Sequence, residues 1–157
     1  MKRGPKPSTR YRVRYDYIIG NPPFVGQAMR SKEQTDDLKV VFAPSKDYGK
    51  LDYVAGWFKK ASELIKGSDA EAAFVSSNSI CQGESVNLFW QKLLTNKLFI
   101  NFAHSTFMWT SEAKTKAAVM CVIVGFSYKE RKEKLLFNGD IKANAAVRVA
   151  AYKKDAR

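Results

Sequence analysis

The sequence contains few of the residues from which disulfide frameworks and metal sites are built. Among 157 residues there are two cysteines, Cys81 and Cys121, and a single histidine, His104. Two cysteines inside apolar segments cannot supply a disulfide framework or a thiolate metal cage. A metal site at His104 would need partners that the sequence scarcely offers. We therefore expect a reduced, cytoplasmic protein without a metal site, and assign no functional role to His104.

Long apolar runs and paired glycines are also missing. No stretch approaches the roughly 20 consecutive apolar residues of a membrane-spanning helix, and the first residues lack the apolar core of a secretory signal. We therefore expect a protein that neither enters a membrane nor is exported. No two of the nine glycines lie two positions apart, so the sequence has no G-x-G loop for a phosphate or a nucleoside.

Acidic residues are outnumbered by basic ones, 15 to 27, which gives a formal net charge of +12. The excess lies at the two ends of the chain, because residues 1–15 hold six basic residues and no acid, and residues 128–157 hold nine basic residues against four acidic. Such a balance favours polyanionic partners such as nucleic acid, although a basic tail is often simply solvated. The length predicts one globular domain.

Hydrophobic periodicity predicts strands and helices that alternate along the chain. We expect strands over residues 14–20, 72–75, 99–103 and 117–125, and helices over residues 32–42, 51–65 and 86–94. Ser31 and Gln34 have capping-box spacing at the start of the first helix, and Asp52 suits the start of the second. This alternation is typical of a layered α/β sheet. Residues 135–137 and 147–152 could add a peripheral strand.

The sequence Asn21-Pro22-Pro23-Phe24 directly follows the first predicted strand. In open α/β sheets, ligands bind at the carboxyl ends of strands. Prolines lack an N–H and hold the preceding residue extended, so this turn offers acceptors and almost no donors. The Asn21 side-chain oxygen, the Pro22 carbonyl and the Phe24 ring together suit a planar group that carries an NH2. The alternative is a rigid turn with Phe24 in the core.

The string from Asp16 to Phe24 resembles the strand and catalytic turn, motif IV, of N6-adenine DNA methyltransferases. Residues 49–57, 74–84 and 102–119 resemble further blocks of the methyltransferase domain of type IIG and type IIL (MmeI-like) restriction-modification enzymes. The resemblance covers about residues 15–127. It implies an α/β fold, the second half of a Rossmann-like class I methyltransferase sheet with its flanking helices. It also implies that Phe107 matches the aromatic of motif VIII, on the loop before the last long strand, that stacks on the flipped base.

The resemblance implies a function and a set of partners. Asn21 and the Pro22 carbonyl would accept hydrogen bonds from the adenine amine, which then takes the methyl group of S-adenosylmethionine. The target base would leave double-stranded DNA and stack between Phe24 and Phe107. The domain division that follows is a flexible basic arm or a remnant of cloning over residues 1–13, a partial catalytic domain over residues 14–127, and a basic segment over residues 128–157.

The Gly-rich cofactor-binding turn precedes motif IV in this family, and only 20 residues precede Asn21. We therefore expect the cofactor-binding half to lie on a missing N-terminal part or a partner chain, and the chain to be inactive alone. The first strand would then be an unpaired edge, open to dimerisation.

Two other functions stay open at this point. Protein-glutamine amide methyltransferases share a similar turn, and a non-catalytic module could bind DNA or a partner chain. Asn78 could touch the pocket. Trp109 is expected to pack, and Lys114 and Lys116 are ordinary exposed lysines that could contact phosphate.

Overall fold

A computed structural model describes residues 15–110, 118–138 and 146–149. Within these ranges the α-helices are α1 (Lys32–Phe42), α2 (Val54–Leu64) and α3 (Gln91–Thr95). The strands are β1 (Tyr17–Gly20), β2 (Glu71–Ser77), β3 (Phe99–Thr110), β4 (Ala118–Ser127), β5 (Lys134–Phe137) and β6 (Ala146–Val149). A π-helical turn over Val86–Trp90 leads into α3, so the third predicted helix is present with an irregular first part.

The six strands form one mixed sheet in the order β1-β2-β4-β3-β5-β6. The pairs β1–β2 and β3–β5 are parallel, whereas β4 runs antiparallel to both β2 and β3. The carboxyl ends of β1, β2 and β3 therefore meet at one edge of the sheet. This mixed α/β arrangement confirms the fold class, and the edge is where the sequence placed its candidate site.

Local sequence signals account for helix α1, which follows the loop after β1. The Ser31 side chain accepts a hydrogen bond from the Gln34 backbone, and the Gln34 side chain accepts one from the Ser31 backbone, as the capping box predicts. Helix α2 packs on the sheet through Phe58, which is fully buried. Its ring contacts four others, those of Phe74, Phe89, Trp90 and Phe126, at centroid distances of 5.2–6.2 Å. This cluster is the centre of the core.

Strand β3 is much longer than the five residues predicted from the sequence and contains two bulges. The pairing with β4 shifts between Ile100 and Phe102 and again between His104 and Phe107. Each shift inserts an extra residue on β3, and bulges commonly re-aim a side chain. Our prediction that Phe107 lies on a loop was therefore wrong, because the strand continues past it to Thr110. Sequence periodicity misses such a strand because each bulge breaks the alternation of side chains.

Strand β1 lies at the edge of the sheet and carries exposed apolar side chains. Within the described residues it pairs only with β2. Tyr17 and Ile19 point away from the face that α2 covers and are 70% and 80% exposed. Ala73 and Val75 on the same face of β2 are half-buried. The unpaired edge that the sequence predicted is present in this part of the chain.

The basic segment after residue 127 contributes to the same sheet. Strand β5 pairs with β3, and β6 pairs with β5 over Ala146–Val149, close to the peripheral strand expected over residues 147–152. The basic arm over residues 1–13 lies outside the described residues, as do Lys114 and Lys116.

Candidate active site

The Asn21–Phe24 turn follows β1 directly and presents, at the carboxyl edge of the sheet, two acceptors that no described residue occupies. Asn21 is exposed, and its side chain has no hydrogen-bond partner among the residues that the structure describes. Pro22 is buried, yet no described N–H or O–H donates to its carbonyl oxygen. Pro23 is exposed and has no N–H to occupy either acceptor. The turn therefore offers the two oxygens to a ligand, and its two prolines contribute no backbone donor.

The loop then crosses from the end of β1 towards the end of β2. Phe24 is half-buried and packs against the core cluster, so part of the ring remains open. The next residue, Val25, donates its backbone N–H to Asp52 Oδ1 over 2.9 Å, and its carbonyl accepts from the Tyr53 N–H over 3.0 Å. These two bonds fasten the loop, one residue after Phe24, to the start of α2.

Asp52 itself is a buried carboxylate, 8% exposed, that joins three segments of chain. Its Oδ1 also accepts from the Val54 N–H over 3.1 Å, as expected at a helix start. Its Oδ2 accepts from the Ser77 and Ser79 hydroxyls over 2.8 and 3.1 Å. The Ser77 and Ser79 hydroxyl oxygens also lie 2.7 Å from each other, so their two hydrogens are shared among three close contacts, two of them to Asp52. Among the described residues Asp52 forms no salt bridge, so its bonding partners are backbone N–H groups and hydroxyls.

A second clamp holds the far end of the same loop. Arg30 donates from its guanidinium to the carbonyls of Tyr48 and Gly49 over 3.1 and 2.7 Å. Tyr53 donates its hydroxyl to Asp37 on α1 over 2.8 Å, and this bond raises the pKa of Tyr53. The loop from Asn21 to Arg30 is thus fixed at Val25 and at Arg30 to the segment that leads into α2.

Phe107 lies at the same edge of the sheet as the turn. It pairs with Cys121 of β4, and Cys121 pairs in turn with Ser77 at the end of β2. Two strand steps of about 4.8 Å place the Phe107 backbone about 10 Å from that of Ser77. The ring is half-buried and lies 5.2 Å from His104 and 6.3 Å from Trp109, centroid to centroid. Phe107 therefore lies at the carboxyl edge of the sheet, on the face that also carries Cys121 and Ser77.

The remaining sequence-predicted residues lie at this edge in different states. Asn78 is half-buried and is the first residue of the short 3-10 turn Asn78–Cys81. It lies in the chain between Ser77 and Ser79, the two serines that contact Asp52. Trp109 is 44% exposed, which corrects our expectation that it packs, because it lies on the part of β3 beyond the helical layer. His104 Nδ1 lies 2.7 Å from the Ser105 carbonyl oxygen and is used locally.

Sequence reasoning missed the residues that hold the site in place. Asp52 was expected only at a helix start, and nothing local to Ser77 or Ser79 suggested a shared carboxylate. The signal that was available is a polar Ser-Ser-Asn-Ser run after a buried strand, which indicates a hydrogen-bonded turn at the ligand-binding edge.

The outer side of β1 borders the turn and has no strand paired with it among the described residues. The described residues contain no group of three or more side chains suited to a metal ion and no helix that could cross a membrane. Because no described strand pairs with this outer side of β1, none of the described residues is assigned to S-adenosylmethionine. Cavities of about 880 and 430 Å3 lie near Asp16 and Asp69, at the opposite edge from Asn21.

Comparison with known proteins identifies relatives over most of the chain. The family described as "MmeI, DNA-methyltransferase domain" matches residues 4–138. DNA methyltransferase A of Bacillus subtilis (strain 168) is 39% identical over 127 residues, which is 80% of this chain and 14% of that protein. The chain thus spans about a seventh of the length of this curated relative.

Solved structures agree with this assignment. The type IIL restriction-modification enzyme MmeI in complex with DNA is 44% identical, with a TM-score of 0.75 over 85% of this chain and 18% of that one. A modification subunit assigned to a type I restriction enzyme of Vibrio vulnificus YJ016 shares the fold at 15% identity, with a TM-score of 0.52 over 78% of this chain and 25% of that one. The chain belongs to the MmeI DNA-methyltransferase domain family.

Proposed function

We propose that this chain forms the target-base half of a DNA adenine-N6 methyltransferase of a restriction-modification system. The observation that carries the proposal is a pair of acceptors at the carboxyl end of β1, Asn21 Oδ1 and the Pro22 carbonyl, to which no described group donates. Membership of the MmeI family and the DNA complex of the 44% identical MmeI support DNA as the substrate. The net charge of +12 is consistent with a polyanionic partner.

Two acceptors on a proline-stiffened turn fit the chemistry of an adenine amine. The N6 lone pair is delocalised into the ring, so the amine is a weak nucleophile. When Asn21 and the Pro22 carbonyl each accept one amine hydrogen, they favour a pyramidal nitrogen with its lone pair directed away from the ring. The protein thus contributes alignment and polarisation. S-adenosylmethionine supplies the methyl group when it is bound by the other half of the site.

Stacking on the two sides of the base would offset the cost of extruding it. A base must leave the duplex before its amine can reach the turn, at a cost of a few kcal/mol. Each base–aromatic contact contributes roughly 1–3 kcal/mol. Phe24 and Phe107, which both lie at the carboxyl edge of the sheet, are the residues we propose for these contacts.

The cofactor-binding half is the partner that we propose for the β1 edge. A parallel strand beside β1 would pair the backbone groups on its outer side, which no described strand pairs, and the attached helices would cover Tyr17 and Ile19. In its absence the same edge offers a surface for self-association. We propose that this half is carried by a longer form of the protein or by a second chain, and that the assembled enzyme acts on DNA in the cytoplasm.

The proposal is tested in an exchange enzyme, which we define as MmeI with the segment that this chain matches replaced by residues 15–138. Unmethylated DNA is incubated with the exchange enzyme and S-adenosylmethionine, and its nucleosides are then quantified by mass spectrometry. We expect N6-methyladenine from the wild-type exchange enzyme. We expect Asn21→Ala to lower the rate at least about 10²-fold, the loss typical for a donor or acceptor aimed at the reacting group.

Matched controls separate the alternatives. Gln27→Ala lies on the same loop beyond Val25 and is expected to leave the rate within twofold. Methylation of cytosine, or of a glutamine-containing peptide but not DNA, would contradict the proposed substrate. Unchanged DNA affinity with no methylation in any assembled form would indicate a non-catalytic module.

A further inference from the structure

The buried Asp52 carboxylate connects the active-site turn to the rest of the fold. Along the chain it is 27 residues from Val25 and 25 and 27 residues from Ser77 and Ser79. A helix cap would use one carboxylate oxygen and one local N–H, here that of Val54. The three further bonds join the loop after β1 and the turn after β2 to the start of α2.

We propose that Asp52 is a positioning residue, which fixes the Asn21–Phe24 turn through the Val25 N–H and so holds the two acceptors in place. This inference rests on the proposed function for its catalytic consequence. The turn leaves a short edge strand and, among the described residues, makes few hydrogen bonds of its own. Asp52 and the adjoining Tyr53 N–H supply both bonds to the backbone of Val25, directly after Phe24.

The network also predicts which substitution is tolerated. In Asp52→Asn the amide oxygen can still accept from the Val25 and Val54 N–H groups. The new NH2 can donate to the Ser77 and Ser79 hydroxyls, because a hydroxyl both accepts and donates. In Asp52→Ala the Val25 N–H loses its partner. A positioning role therefore predicts that Asn rescues what Ala removes.

Asn101 provides a matched control at the opposite edge of the sheet. It is 3% exposed, donates to Ser127 Oγ and to the Lys129 carbonyl over 2.8 and 3.0 Å, and accepts from the Arg131 N–H over 3.2 Å. Asn101→Ala thus removes a buried side chain that likewise joins separate segments, without touching the turn. If Asp52→Ala acts only by lowering the stability of the fold, Asn101→Ala is expected to have the same effect on the turn.

The first measurement is amide hydrogen exchange by NMR on the full 157-residue chain. In Asp52→Ala the Val25 amide is expected to exchange at least tenfold faster relative to amides in α2. In Asp52→Asn the change is expected to stay within threefold, and in Asn101→Ala this ratio is expected to stay unchanged. If Asp52→Ala accelerates Val25 no more than Asn101→Ala does, or if Asp52→Asn behaves like Asp52→Ala, the positioning role is wrong.

The second measurement is steady-state kinetics in the exchange enzyme. Asp52→Ala is expected to lower kcat about 10²-fold, the loss typical of a small misplacement of reacting groups, with the KM for S-adenosylmethionine within threefold. An active exchange enzyme in which Asp52→Ala retains kcat within twofold contradicts the positioning role and leaves the proposed function intact. An exchange enzyme that is folded but methylates no adenine contradicts the proposed function. The hydrogen-exchange measurement on the 157-residue chain then still tests whether Asp52 holds the turn in place.

Discussion

Gly125 on β4 pairs with Phe102 on β3 and lies directly under its ring. A Cβ at position 125 would overlap three atoms of that ring. The φ of Gly125 lies outside the left-handed region, so alanine fits its backbone. We therefore expect Gly125→Ala to act through the Phe102 ring alone.

The size of the effect follows from two opposing terms. Displacing the ring costs about 1–3 kcal/mol, as overpacking commonly does. Replacing glycine by alanine within a strand returns about 0.5–1 kcal/mol. Phe102 is half-buried and can swing outward, so we expect Gly125→Ala to lower the free energy of unfolding by about 0.5–2 kcal/mol.

In a Phe102→Ala background, the effect of Gly125→Ala on the free energy of unfolding is expected to change sign. The ring is gone, and Gly125→Ala is then expected to raise the free energy of unfolding by about 0.5–1 kcal/mol. Urea unfolding followed by circular dichroism on the four chains of this cycle measures both effects, with the m-value as a check on two-state behaviour. Equal destabilisation by Gly125→Ala in the two backgrounds would refute the reasoning.

Three further predictions concern other parts of the fold. Ser31→Ala removes the cap of α1 and is expected to lower the free energy of unfolding by about 1 kcal/mol, whereas a change below about 0.3 kcal/mol in urea unfolding would show that the cap contributes nothing. Tyr17→Lys with Ile19→Lys places charges on the open edge and is expected to reduce self-association in sedimentation velocity, while Met29→Lys, which is equally exposed but off the sheet, leaves it unchanged. Phe107→Ala in the exchange enzyme is expected to lower kcat/KM for DNA about tenfold or more, the equivalent of a lost stacking contact, and an unchanged kcat/KM would remove Phe107 from the site.

The parts of the fold that were predictable from sequence are those in which the signal is local. The capping box at Ser31 and Gln34 involves residues three positions apart, and the structure has both of its hydrogen bonds. The apolar stripe of α2 likewise predicts the face that Phe58 buries. The helix itself begins at Val54, later than predicted, and the Asp52 side chain accepts a hydrogen bond from the Val54 N–H at this start.

The candidate turn was predictable because its two prolines are a strong local signal. The hydrogen bonds that hold the turn in place were not predictable. The partners of Asp52 come from three segments that only the folded sheet brings together. The position of Phe107 depends on two bulges in β3, which no periodicity in the sequence reveals. The roles of Asn21, Pro22, Pro23, Phe24 and Phe107 in catalysis stay predictions until they are tested.

The most direct test of the proposed chemistry is a structure of the exchange enzyme on its DNA substrate by cryo-electron microscopy. The account predicts an extruded adenine whose N6 lies within about 3.2 Å of both Asn21 Oδ1 and the Pro22 carbonyl oxygen. It also predicts the Phe24 and Phe107 rings on the two sides of the base. An adenine that is extruded into a different part of the protein, with Asn21 and Pro22 unoccupied in an active complex, would contradict it.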